Sequence, residues 1–196
     1  MPRGGEKLRS DAARNREAIL TTAIGVLAGR PTASMREIAL ASGTGRTTLY
    51  RHFPDRQALV LAMFDRVVEE ADQLTGQALA DGADADPVRV VADLSAELAD
   101  LGDRYRFLRH DLLSDGPIAD RNAAARRRSP LRSYLTAGQH DGRIRADLDA
   151  DWLLDVVIAL VTEAASRPQQ GLAVPRDQLR LTIQTLLTPT LDAERG

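Results

Sequence analysis

The stretch of sequence that decides the fold runs from residue 34 to residue 59 and reads SMREIALASGTGRTTLYRHFPDRQAL. Ser34 followed three residues later by Glu37 forms a capping-box pattern, which predicts the first turn of a short helix. Gly43 lies where that helix would end, and glycine has the backbone freedom that a tight turn between helices requires. A second short helix is therefore predicted over residues 46–52, ended by the residues around Pro54.

The second helix of this pair carries side chains that suit contact with DNA. Leu49 and Phe53 lie four residues apart and form its anchoring face, which leaves hydroxyl and basic groups for the major groove. Threonine and arginine suit base edges, whereas tyrosine, histidine and arginine suit phosphates. Ser34 is expected first to cap its helix, whose exposed N-terminus can also hold a phosphate. The full set of expected DNA contacts is Ser34, Arg46, Thr47, Thr48, Tyr50, Arg51, His52 and Arg56.

The distribution of charge along the chain supports a nucleic-acid partner, although the total charge of −2 does not. Residues 1–56 carry ten Lys and Arg against five Asp and Glu, a net charge of +5. Residues 57–196 carry sixteen against 23, a net charge of −7. A basic first quarter ahead of an acidic remainder is typical of a DNA-contacting domain on a body that stays off the phosphates.

Helical periodicity dominates the rest of the chain, so an all-α fold is predicted. Residues 1–10 are expected to form a disordered arm, 11–55 the DNA-binding domain, and 56–196 a helical regulatory and dimerisation domain. Apolar stripes and helix breakers place helices at about 11–28, 35–43, 46–52, 56–79, 87–101, 103–113, 118–139, 149–166 and 175–187. An interruption of the 118–139 helix is considered at Ser129-Pro130.

These residues together resemble a known family. The segments from Ile19 to Ala23, Thr32 to Gly43 and Thr48 to Leu59, above all LYRHFPDRQAL, closely resemble the N-terminal domain of the tetracycline-repressor (TetR) family. The resemblance implies an Ω-like homodimer with three-helix DNA-binding heads and a ligand pocket in each C-terminal body. It also implies that Tyr50 and His52 contact phosphates. Family members often carry valine where Thr44 stands and a small serine-like residue where Gly45 stands, so base readout is expected to rest on Arg46, Thr47 and Thr48.

Two further sets of residues follow from this interpretation. The final two helices of TetR-like proteins pack against their symmetry mates as a four-helix bundle, and the stretch Trp152–Val161 is apolar at every position but Asp155. The expected dimer contacts are Trp152, Val156, Leu160, Leu179, Ile183 and Leu186. The candidate contacts of a small-molecule effector are Tyr105, Phe107, Arg109, His110, Tyr134 and Trp152.

The leading interpretation is a repressor released from near-palindromic operator DNA by an unidentified small molecule, with no cofactor, metal or catalytic residue. One alternative is a metal-dependent helical hydrolase of the HD type, because His110-Asp111 and His140-Asp141 are His-Asp doublets. The chain has only three histidines, and neither doublet has a second histidine at helical spacing. A TetR-like DNA binder without an effector, or an activator of the same fold, remains open. The sequence also lacks cysteine, a signal-peptide pattern and an apolar run of membrane-spanning length, so a cytoplasmic protein is expected.

Overall fold

The computed structural model of the protein describes residues 4–108, 117–166 and 174–189, with side chains throughout except at 4–9 and 117–119. Over these ranges the chain forms α-helices and one short 3₁₀ turn at Arg106–Leu108, without strands. The helices are α1 (Gly4–Gly29), α2 (Met35–Ala41), α3 (Arg46–His52), α4 (Arg56–Asp81), α5 (Pro87–Arg104), α6 (Pro117–Arg128), α7 (Pro130–His140), α8 (Ala150–Ser166) and α9 (Arg176–Leu187). The predicted all-α fold is confirmed.

The described chain divides into two compact units. Among the described residues, the first unit, here called the head, contains 4–66, 107–108 and 117–119, and the second, the body, contains 67–106, 120–166 and 174–189. The sequence predicts a domain boundary after residue 55, at the start of α4, and this boundary stays a prediction. The division between the two units falls inside α4, whose first part carries the buried side chains Leu59, Val60, Met63 and Phe64.

The head is built around a small apolar core. α1 packs against α2, and α2 packs against α3. The buried side chains of α1 to α3 are Ile19, Leu20, Ala23, Leu27, Ile38, Ala39 and Leu49, with Ala33 and Phe53 beside them. Burial of each large aliphatic or aromatic side chain contributes about 1.5–3 kcal/mol to the head's stability before the entropy cost of ordering the chain.

The first helix is longer than the sequence predicted. α1 begins at Gly4, whereas residues 1–10 were expected to be disordered. Gly4 and Gly5 each disfavour a helix by about 1 kcal/mol relative to alanine, but the Glu, Lys, Leu and Arg that follow are good helix formers. The glycines therefore fall at the end of the helix, where their cost is smallest.

The body is held together by α5, which packs against both α8 and α9, while α7 packs against α8. Its core consists of buried aliphatic side chains that include Val91, Leu94, Leu135, Ile144, Leu153, Val157, Leu179, Ile183 and Leu187. Gly138 of α7 lies so close to Ile144 that an added Cβ would be 2.6 Å from the Ile144 Cδ1 atom. A residue without a side chain is therefore required where the chain returns after α7.

Two helix boundaries in the body differ from the expected ones. A break after Arg128 divides the stretch expected as one helix over 118–139, since Pro130 disfavours helical backbone at Ser129, whose ψ is 126°. α5 continues without interruption to Arg104 and is followed by the 3₁₀ turn, where a separate helix over 103–113 was expected. Residues 109–116 lie outside the described part of the chain.

Candidate nucleic-acid interface

The turn between α2 and α3 positions the candidate recognition helix. Gly43 adopts a φ of +63°, which side-chain-bearing residues rarely adopt, and the Thr44 amide donates back to the Ala39 carbonyl at 3.1 Å. The Ser42 hydroxyl lies 2.8 Å from the Thr44 hydroxyl and 3.0 Å from the Ile38 carbonyl. Thr44 therefore takes part in the turn itself, so a hydroxyl at this position has a structural use.

α3 is anchored on one face and exposed on the other. Leu49 is 0% exposed and Phe53 is 1% exposed, which fixes the helix to the head. Arg46, Thr47 and Arg51 are exposed, Tyr50 is partly exposed at 39%, and Thr48 is half-buried. Arg46, Thr47, Tyr50 and Arg51, four of the residues predicted to contact DNA, thus lie on the solvent side of a helix whose other face is buried.

Ser34 caps α2 with both of its local polar groups. Its hydroxyl accepts from the Glu37 amide at 3.3 Å, and its own amide donates to a Glu37 carboxylate oxygen at 2.8 Å. The Glu37 pKa is lowered chiefly by this amide and also by the Ser34 hydroxyl and the charge of Arg30. The predicted capping box is therefore formed, while contact between Ser34 and a phosphate stays a prediction.

Arg56 has a structural role that the sequence did not indicate. Its guanidinium donates to the Ala33 carbonyl and to the Pro31 carbonyl, each at 2.7 Å. These bonds join the start of α4 to the loop between α1 and α2. A DNA contact by Arg56 stays a prediction, and any such contact must use the N–H groups that the two carbonyls leave.

His52 is half-buried, and its contact with a phosphate stays a prediction. Its Nε2 atom is buried and has no hydrogen-bond partner among the described residues. Burial lowers the pKa of His52, and the charges of Arg51 and Arg16 lower it further. The imidazole is therefore neutral near pH 7, and Nε2 is not accessible to a phosphate in this conformation.

Arg16 is a basic residue near α3 that was not among the expected DNA contacts. Its guanidinium lies over the Phe53 ring, 5.0 Å from the ring centroid, and its side chain is exposed. Arg16 precedes the helix-turn-helix segment by a whole helix, so spacing along the sequence does not connect it with α3. Its place in the basic first quarter was the only available signal.

The described candidate effector contacts are divided between the two units: Phe107 belongs to the head, and Tyr105, Tyr134 and Trp152 belong to the body. Tyr105 is buried and its hydroxyl donates to Glu70 at 2.8 Å, while Glu70 also pairs with Arg104 at 3.0 Å. Phe107 and Tyr134 are half-buried, and burial raises the pKa of Tyr134. Arg109 and His110 lie outside the described residues. Trp152 is 59% exposed and so has much of its ring available to a partner.

The expected dimer contacts fall into two groups. Leu179 and Ile183 are 3% and 0% exposed, because α9 packs these side chains against α5 in its own chain. This packing leaves them little surface for a second subunit, and their assignment to the dimer contact stays a prediction. Trp152 is exposed, and Val156, Leu160 and Leu186 are half-buried. Leu181, which the apolar stripe of α9 did not include, is 63% exposed.

Comparison with known proteins identifies the family. Residues 19–63 match the family described as bacterial regulatory proteins, tetR family. The transcriptional repressor LfrR of Mycolicibacterium smegmatis is 31% identical over 182 residues, which are 89% of this chain and 89% of LfrR.

The chain belongs to the tetR family. The crystal structure of LfrR in complex with proflavine superposes with a TM-score of 0.65 at 25% identity, covering 88% of this chain and 93% of that one. The regulator EthR of Mycobacterium tuberculosis is 36% identical over 88 residues, 44% of this chain and 41% of EthR. The protein is thus a DNA-binding transcription regulator of this family, as LfrR and EthR are transcription regulators.

Two features of the described residues concern the alternative functions. Within the described ranges, no three His, Asp or Glu side chains stand close enough together to hold a metal ion. The His110-Asp111 doublet lies outside those ranges, and His140 is exposed beside Asp141, 3.5 Å away. Among the described helices, none is long and apolar enough to span a membrane.

Proposed function

We propose that this tetR-family protein is a repressor that binds a near-palindromic operator as a homodimer and leaves it when a small molecule binds the body. One observation carries the DNA-binding step. α3 presents Arg46, Thr47 and Arg51 to solvent while Leu49 and Phe53 hold its other face in the core of the head. A helix held in this way keeps its exposed side chains in a fixed register for the major groove.

Selection of binding sites from randomised duplexes tests this step. We expect a site with two related half-sites, and loss of the Thr47 side chain in Thr47→Ala should weaken discrimination at one position in each half-site. A lost base contact costs about 1–3 kcal/mol. Thr136→Ala, which removes an exposed threonine side chain from α7, is the matched control. Recovery of no preferred sequence by the wild-type protein would overturn the proposal.

The exposed apolar side chains of the body support a homodimer. Trp152 on α8 and Leu181 on α9 are 59% and 63% exposed, and Val156, Leu160 and Leu186 are half-buried. Large apolar side chains on two adjacent helices are typical of an interface, and a twofold axis would bury the same surface on both subunits.

Replacement of one of these exposed residues separates the interface from the core. Leu181→Glu should leave the helical content unchanged and shift the protein from dimer to monomer in light scattering, because a charge at a buried interface is costly. Ala123→Glu on α6 is the control, since Ala123 is exposed and the new carboxylate is four residues from Arg127. A wild-type protein that is monomeric at micromolar concentration would remove the dimer from the proposal.

The effector step rests on the relative that carries a ligand and on the continuity of α4. The LfrR structure contains proflavine. In this chain α4 contributes residues to both the head and the body, so a shift of α4 caused by a ligand in the body is passed to the head. Two recognition helices must enter major grooves about 34–36 Å apart, so a displacement of a few ångströms spoils simultaneous binding.

Calorimetry with proflavine as the first probe tests this coupling. Coupling between two sites is typically about 1–3 kcal/mol, or roughly 5–150-fold, and it is reciprocal. Operator duplex should therefore weaken dye binding by the same factor by which dye weakens operator binding. A dye that binds the body with equal affinity in the presence and absence of operator would contradict release and indicate a DNA binder that does not respond to it.

A further inference from the structure

Three basic side chains from two helices meet at the end of α3. Arg16 of α1 lies over the ring of Phe53, the residue that ends α3, and both Arg16 and Arg51 act electrostatically on the His52 imidazole. Arg51 lies in the last turn of α3 and Phe53 is the C-cap of that helix, so Arg16 and Arg51 both lie at this end of α3, although 35 positions separate them in the sequence. Both arginine side chains are exposed.

Four acidic residues of the head have partners other than Arg16 and Arg51. Glu17 pairs with Arg66 at 2.9 Å, and Asp11 pairs with Arg14. Glu37 pairs with Arg30 at 2.9 Å, and Asp55 accepts from the Ala58 amide at 2.7 Å. Within the described part of the head, neither Arg16 nor Arg51 forms an ion pair, so their positive charges are not compensated.

Two arginines without a counter-ion at the same end of α3 favour the binding of an anion there. A planar guanidinium matches a phosphate group with two parallel N–H donors. Stacking on an aromatic ring already restricts the orientation of the guanidinium before binding, so less conformational freedom is lost when the anion binds. The neutral His52 ring adds no third charge, and its buried Nε2 leaves the exposed contact to the arginines. The neighbouring exposed residue Tyr50 lies on the same helix as Arg51, so the anion would lie at the edge of the surface that α3 presents.

We propose that Arg16 and Arg51 together bind one phosphate group of the operator backbone, with Phe53 supporting the Arg16 guanidinium. Arg16 is thus a DNA-binding residue outside the helix-turn-helix segment. This inference rests on the proposed function, because it assumes that α3 enters the major groove of an operator. A backbone contact of this kind positions the head on DNA and carries no base preference.

The salt dependence of DNA binding distinguishes a phosphate contact from a purely structural arginine. Each neutralised phosphate contributes about 0.9 to the slope of log affinity against log salt, so the double variant Arg16→Met/Arg51→Met should reduce that slope by about two for a dimer with two heads, and Arg16→Met alone should give part of this reduction. Affinity for operator and for unrelated duplex should fall by the same factor, about tenfold at low salt. Arg16→Lys should keep most of the slope, because it retains the charge.

Arg14→Met is the matched control, since Arg14 lies two positions away on α1 and is exposed but paired with Asp11. It should leave the slope near the wild-type value. If Arg16→Met binds operator with the wild-type slope and affinity, Arg16 only supports Phe53 and the proposal is wrong. If the wild-type protein selects no operator at all, the proposed function fails and not merely this contact.

A duplex with single methylphosphonate substitutions provides a second readout that does not depend on the stability of one variant. Removing the charge of the phosphate that Arg16 contacts should weaken wild-type binding, and the same substitution should have a smaller effect on Arg16→Met, which has already lost the contact. Additive losses at every phosphate position for Arg16→Met would overturn the assignment. The unfolding temperature of each variant shows whether a lower affinity for DNA results from unfolding of the head.

Discussion

Substitution of Arg56 tests whether this arginine stabilises the head or contacts DNA. Its guanidinium donates to the carbonyls of Pro31 and Ala33 at 2.7 Å each, and these bonds join the start of α4 to the α1–α2 loop. Arg56→Gln removes both bonds and the positive charge. A hydrogen bond from a charged donor contributes about 1.5–3 kcal/mol when buried, but here the bond to Pro31 is exposed and the bond to Ala33 is only partly buried, so we expect a total loss of about 1–2 kcal/mol.

The assay is urea and thermal unfolding of the full chain together with operator binding. For a chain of this size a loss of 1–2 kcal/mol corresponds to a fall of roughly 2–8 °C in unfolding temperature. Arg56→Lys should be nearly as unstable, because one ammonium group does not reproduce the planar fork that reaches both carbonyls. Unchanged stability in Arg56→Gln with a reduced salt slope of DNA binding would refute the structural role and make Arg56 a phosphate contact.

Three further predictions concern stability. The pKa of His52 is lowered in the folded head, so below about pH 6.5 the unfolded state binds more protons and the free energy of unfolding falls as the pH decreases. In urea unfolding, His52→Asn should lose less stability between pH 7 and pH 5 than the wild-type protein. The same dependence of stability on pH in both proteins would contradict this role of His52. Gly45 caps α3 without a side-chain hydrogen bond and has open space around its Cβ position, so Gly45→Ser should stabilise the head by a few tenths of a kcal/mol in chemical unfolding, where a loss would indicate a hidden clash. Gly138→Ala gains about 1 kcal/mol of helix propensity, but it places a Cβ 2.6 Å from the Ile144 Cδ1 atom, which costs about 1–3 kcal/mol in overpacking. We therefore expect a lower unfolding temperature. A higher unfolding temperature would show that the Ile144 side chain moves aside at little cost.

The interface between subunits illustrates a limit of periodicity. The apolar stripe of α9 contains Leu179, Ile183 and Leu186, and the sequence assigned all three to the dimer contact. Periodicity shows which side of a helix is apolar, but it does not show whether that side meets its own chain or another one. In the structure the stripe packs mostly into the body, and the exposed Leu181 lies off it.

The sequence by itself determined the class of fold and the place of the helix-turn-helix, because both depend on interactions between residues close together in the chain. Helical spacing, the Ser34–Glu37 capping box and the turn at Gly43 are all local, and the structure contains each of them. The length of α1 and the division of α4 between two units did not follow from these local patterns, because they depend on helix propensity summed over many residues and on packing between distant parts of the chain.

Only the tertiary structure decided what the basic residues of the head contact. Arg56 reaches carbonyls more than twenty residues earlier in the chain, and Arg16 reaches the Phe53 ring from another helix. His52 is buried at Nε2, although its position in the motif implied an exposed phosphate contact. A side chain's partner depends on which helices pack together, and long flexible arginines reach several ångströms from their own backbone, so residue type and spacing alone do not determine it.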